Sequence, residues 1–143
     1  MTRDDTKQLS FTKTETVCLV AVASLMITLF LPAAKQGEVL TGLDLFAIGA
    51  LMSFLSTGEL AFKSGVAVVL NASCLAAVVA VFNGMRSRLV RVAIASIAAV
   101  CFVILLVPYS SLERVFAGYY LWLVSALAIC LTPLLPCNVR PMA

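Results

Sequence analysis

The chain has 143 residues, 62% of them hydrophobic, with ten Lys or Arg, seven Asp or Glu and no His. Ordinary globular domains are roughly 45–50% apolar, and so few charges cannot coat a water-soluble fold of this size. The balance excludes disorder, a nucleic-acid-binding module and a soluble core protein, and it points to one integral membrane domain over 1–143.

Five charge-free runs lie between the charges: 16–34, 45–58, 64–85, 92–112 and 115–139. A helix needs about 20 apolar residues to cross a hydrocarbon core about 30 Å thick. All but 45–58 meet that length. The runs are continuously apolar, whereas barrel strands would alternate.

In chain order, 1–15 reads as a short polar tail and about 16–34 as the first span, ending near Pro32, where stopping a helix is cheap. The end Leu31-Pro32-Ala33-Ala34 fits a signal-peptidase site poorly, so this span reads as a retained anchor. Residues 35–63 form the longest piece between spans. Within it, about 43–57 reads as an interfacial or re-entrant helix, with Gly42, Gly49, Ser53 and Ser56 on one side and Leu43, Phe46, Leu51, Phe54 and Leu55 elsewhere. The second span, about 64–85, closes at Asn83-Gly84, and a tight basic turn runs to Arg91. The third, about 90–109, ends at Pro108-Tyr109. Ser110 to Arg114 form a brief turn, and the fourth span, about 115–134, is closed by Pro133 and Pro136. Tyr109, Tyr119, Tyr120 and Trp122 cluster where an aromatic belt is expected. No internal repeat of the kind common in transporters is visible.

Charge sets the orientation, because cytoplasmic loops carry the excess Lys and Arg. With four spans, seven basic residues (Arg3, Lys7, Lys13, Arg86, Arg88, Arg91, Arg140) share one side and three (Lys35, Lys63, Arg114) the other. A fifth span at 45–58 would even out that split. The expected fold is therefore an all-α membrane protein: a four-transmembrane-helix bundle with a short outer-side interfacial or re-entrant helix. It is multi-pass in a prokaryotic inner membrane, with N- and C-termini cytoplasmic.

The side chains offer little chemistry. Without His there is no imidazole for haem, for most zinc sites or for a general base, and a Ser-His-Asp hydrolase is impossible. Cys18, Cys74, Cys101, Cys130 and Cys137 form no C-x-x-C pair. The first four sit one per span, where a thiol packs as a small hydrophobe. Cys137, at the membrane edge, would be a palmitoylation candidate in a eukaryotic chain. Asn71 and Ser73 are the candidate intramembrane polar contacts. Asn71 is expected to face another helix through a hydrogen bond of about 1 kcal/mol. Ala72/Ala76/Ala80, Ser73/Ala77, Ala95/Ala99 and Ala126/Cys130 place small residues at the spacing that lets helices approach closely. Asp44 and Glu59 read as solvated loop charges. Arg86, Arg88 and Arg91 fix topology and can meet anionic lipid headgroups at about 1 kcal/mol each. No catalytic residue, metal ligand set or cofactor is expected.

Known small membrane families can be set against these residues. The first span lacks the glutamate of small multidrug transporters and the glycine-arginine signature of fluoride channels. The last lacks the lysine of rhodopsin-like proteins, and the extracellular cysteine signatures of claudins and tetraspanins are missing. Leu31-Pro32, then Thr41 to Asp44, and Gly118-Tyr-Tyr-Leu121 together resemble small bacterial four-span proteins, a resemblance that carries no activity. The expected function is a non-enzymatic accessory or interaction subunit of a membrane complex. The alternatives are an immunity or exclusion protein acting on a membrane-targeting partner, and an oligomeric channel or transporter. The expected partners are the lipid bilayer and a membrane protein or a second copy, with no nucleic acid.

Overall fold

The computed structural model describes residues 12–36, 38–85, 87–107 and 114–135. Helix α1 (Lys13–Leu29) opens ahead of its apolar run because Thr12 and Glu15 close a capping box. The Thr12 N–H donates to Glu15 Oε2 at 2.7 Å and the Glu15 N–H to Thr12 Oγ1 at 3.3 Å. The helix stops at Leu29 rather than running to 34, since Pro32 disfavours helical backbone at the residue before it.

From there the chain builds a small sheet that the sequence did not announce. Strand β1 (Pro32–Gln36) pairs antiparallel with β2 (Glu38–Thr41) and, on its other edge, with β3 (Arg114–Val115). Lys35 stands opposite Val39 on one side and Arg114 on the other. Strands this short carry too few residues for alternation to register as a signal.

A second capping box, Thr41 with Asp44, starts α2 (Gly42–Leu55). After a turn at Gly58, whose φ is +72°, α3 runs from Glu59 to Phe82. Its end is a Schellman motif. Gly84 sits at φ +59°, the Met85 N–H donates to the Ala80 carbonyl at 2.9 Å, and the Gly84 N–H donates to Val81 at 3.2 Å. Then come α4 (Arg88–Leu106) and, after β3, α5 (Ala117–Leu131), which tightens into a 3-10 turn, Thr132–Leu134.

Three helical stretches, Glu59–Phe82, Arg88–Leu106 and Ala117–Leu134, are long and apolar enough to cross a membrane. The chain is thus a predominantly helical protein with the composition of a membrane-embedded one. At about 1.5 Å per residue, the 17 residues of α1 reach about 25 Å.

Helix α5 packs against α1, α3 and α4. Its Leu123, Ala126, Ile129 and Cys130 share one core with Leu70, Cys74, Ala77 and Ala80 of α3 and with Ile94, Ala98, Cys101 and Leu105 of α4. The cross-contacts give the directions. Ser24 meets Ser125 while Cys18 lies beside Thr132, so α1 runs antiparallel to α5. Leu105 meets Tyr119 and Arg91 meets Pro133, so α4 does too. The start of α1, the turn between α3 and α4 and the end of α5 therefore share one end of the molecule. The sheet and the starts of α2 and α5 share the other.

Candidate functional site

Two places gather the chemistry: the sheet end and the polar groups within the helices. At the sheet end, Leu31 to Ala33 receive two incoming helices. The Gly42 N–H donates to the Leu31 carbonyl at 3.1 Å, and the Phe116 N–H donates to Ala33 at 2.9 Å. A Cβ on Gly42 would stand 2.7 Å from the Thr28 carbonyl oxygen, and one on Gly118 would overlap the Pro32 carbonyl. Only glycine lets both first turns seat on that stretch. Leu31-Pro32, Thr41-Gly42-Leu43-Asp44 and Gly118-Tyr119, far apart in sequence, thus form one assembly. Tyr119 completes it. Its ring is buried and its hydroxyl donates to the Leu105 carbonyl at 2.7 Å, closing the end of α4. Tyr119 is therefore an interior residue, whereas Tyr120 beside it is exposed; Tyr109 lies outside the described residues.

Asp44 is exposed, and its carboxylate accepts from the Thr41 N–H at 2.8 Å and the Thr41 hydroxyl at 2.7 Å. These two donors, the backbone first, hold its carboxyl below the ordinary carboxylate value. It caps α2 rather than floating in solvent. Glu59 pairs with Lys63 one turn on at 2.6 Å.

Inside the helices most polar groups close locally. Asn71 Nδ2 donates to the Ala67 carbonyl at 2.9 Å, one turn back on its own helix. Ser73 is buried and donates to Val69 at 2.8 Å, Thr28 to Leu25 at 2.7 Å and Thr132 to Ile129 at 2.6 Å. Ser24 and Ser125, 2.9 Å apart, join α1 to α5 through their hydroxyls, a pair that no sequence signal singled out. Of the small residues at four-residue spacing, Ser73, Ala77, Ala80, Ala95, Ala126 and Cys130 face the core. Ala72, Ala76 and Ala99 are exposed.

The basic turn divides. Arg91 is half-buried and its guanidinium donates to the Pro133 carbonyl at 3.1 Å. That position is where the closing carbonyls of a helix attract positive charge. Arg88 is exposed, and Arg86 lies outside the described residues.

Cys18, Cys74, Cys101 and Cys130 are all reduced and buried; Cys137 lies outside the described residues. Cys74 and Cys130 touch, sulfur to sulfur, at 3.7 Å. Among the described residues no group of three or more His, Cys, Asp or Glu is placed to hold a metal ion. Comparison with known protein families, curated proteins and solved structures finds no match to this chain.

Proposed function

We propose that this chain is a four-span helical-bundle protein of a prokaryotic inner membrane that works without catalysis, as an accessory or interaction subunit docked on a larger membrane protein. The observation that carries this reading is an interior that is apolar and, Ser64 apart, hydrogen-bonded within itself. Ser24, Thr28, Asn71, Ser73 and Ser125 bond to their own backbones or to each other, the buried Ser64 hydroxyl of α3 being the exception without a partner among the described residues, and the core between the helices is Ala, Cys, Leu and Ile. Ion and proton paths are usually lined by ionisable residues. The helices present Val, Leu, Ile and Phe outward instead, which suits lipid and partner helices. The common end shared by the start of α1, Arg88, Arg91 and the end of α5 supports a cytoplasmic side there, with the sheet and α2 on the outer side. In this arrangement α2, whose apolar residues Leu43, Phe46, Ile48, Leu51 and Phe54 are all exposed, lies in or dips into the outer leaflet.

The test is affinity isolation of the tagged full chain from native membranes in mild detergent, with quantitative mass spectrometry and a deletion strain. A membrane protein recovered in near-stoichiometric amount, whose own level falls when this chain is deleted, supports the reading. A pore-forming or invading partner recovered instead moves it to immunity or exclusion. A chain that purifies alone and conducts ions in liposomes overturns it.

A further inference from the structure

Of the four buried cysteines described, two are in sulfur contact. Cys74 of α3 and Cys130 of α5 lie 56 residues apart in sequence, and their sulfurs are 3.7 Å apart. The Cys130 thiol donates to the Cys74 sulfur, and the Cys74 thiol in turn donates to the Ala126 carbonyl at 3.5 Å, one helical turn from Cys130. A disulfide needs its sulfurs about 2.05 Å apart, so roughly 1.7 Å separates contact from bond. Rotations of the two χ1 angles between staggered wells can supply that movement. Cys74 keeps 5% of its surface and Cys130 none. The neighbours Leu75 and Leu131 are exposed on the apolar outside of the helices. The pair is interior, and its neighbours in sequence lie on an apolar surface that a lipid-soluble molecule can reach and a charged one cannot.

We propose that Cys74 and Cys130 are a redox pair, which closes to a disulfide stapling α3 to α5 when a membrane quinone oxidises it. Two S–H bonds break and one S–S bond forms. The two electrons and two protons pass to the quinone, which leaves as the quinol. Cys74, the more accessible thiol, meets the oxidant, and Cys130 supplies the second sulfur. Cys18 lies beside Thr132 and takes no part. Cys101, near Cys130 on α4, has no sulfur hydrogen-bonded to it among the described residues and stays a thiol.

The experiment uses the full chain in liposomes, fully reduced with a phosphine and then exposed, without oxygen, to tetramethylbenzoquinone, whose substituted ring cannot arylate a thiol. The expected result is loss of two hydrogens from the intact mass and a linked peptide pair containing Cys74 and Cys130. Cys18 and Cys101 should alkylate in full after unfolding. The closed loop should also raise Tm in the wild type but not in Cys130→Ala. If Cys74 and Cys130 still alkylate completely after the quinone, the proposal is overturned, and a copper–phenanthroline oxidant then shows whether the pair can close at all or is packing alone. A disulfide joining any other two cysteines overturns it as well.

Discussion

Gly118 lies directly against Pro32: a methyl group built on Gly118 would overlap the Pro32 carbonyl oxygen and crowd the Leu31 side chain at 3.1 Å. The obstacle is backbone, which cannot swing aside as a flexible side chain would. Gly118→Ala should therefore push the first turn of α5 off the sheet end, at about 1–3 kcal/mol, the usual range for overpacking. Gly42→Ala, facing the Thr28 carbonyl, should act in the same direction. Gly65 in α3 is the control, since nothing lies within 4 Å of its would-be Cβ. There alanine should be neutral or stabilising by up to about 1 kcal/mol through helix propensity. Thermal melts in detergent, followed by Trp122 fluorescence, would compare the three. Equal melting of Gly118→Ala and wild type would remove the close approach from the account of the fold.

The Ser24–Ser125 contact joins α1 to α5 with side chains alone. Polar pairs between membrane helices average about 0.6 kcal/mol in double-mutant cycles. A cycle of Ser24→Ala, Ser125→Ala and the double variant should return a coupling of that order. Strictly additive losses would mean that the two hydroxyls do not act together.

These relationships show where the sequence was informative. Charge-free length and Gly or Pro punctuation located the long helices because a helix in hydrocarbon needs only apolar residues and a stop. The Schellman turn at Asn83-Gly84 is one such stop. The three-stranded sheet was illegible, because its strands are five, four and two residues long and the third joins the β1–β2 hairpin from a distant part of the chain. Thr12/Glu15 and Thr41/Asp44 are capping boxes whose spacing is readable in advance. Cys74 and Cys130 could each be placed in an apolar run, but their contact depends on the rotation of α3 against α5, which composition does not encode. For Tyr119, an interfacial residue type disguised an interior position.

Asp44 gives a pH dependence with a definite sign. Its carboxyl is held below the ordinary carboxylate value by the Thr41 N–H and hydroxyl. A group whose folded value is depressed contributes its stability above its unfolded value of about 3.9, and that contribution is lost as pH falls through the folded value. The difference in stability between wild type and Asp44→Asn should be full near neutral pH and shrink steadily below about pH 4. A difference that stays flat to about pH 2 would show that the carboxylate charge plays no part in the cap.

The proposed topology is testable by position. Lys13 at the start of α1 and Arg88 at the start of α4 lie at the end of the molecule opposite the sheet, whereas Lys63 belongs to the first turns of α3. Reporter fusions after Lys13 and Arg88 should both read cytoplasm, and a fusion near Lys63 the far side. Opposite readings for Lys13 and Arg88 would mean that the count of spans between them is odd, either because the α2 segment crosses the membrane or because α1 does not.

Asn71 is the strongest polar side chain within an apolar helix, and its amide nitrogen is held by its own helix. The Ala67 carbonyl that receives it at 2.9 Å also stands one turn back from the Asn71 backbone N–H, its ordinary helical donor. Removing the side chain therefore orphans no backbone group. Asn71→Leu should lose at most about 1 kcal/mol and gain apolar contact with lipid or a neighbouring helix. Accumulation in membranes should stay close to wild type, and recovery of the partner in affinity isolation should be unchanged. The informative exception is a variant that accumulates normally yet no longer recovers the partner. It would place the Asn71 amide at a recognition surface, and Asn71→Gln, which keeps the amide one methylene farther out, would then be expected to restore part of the recovery.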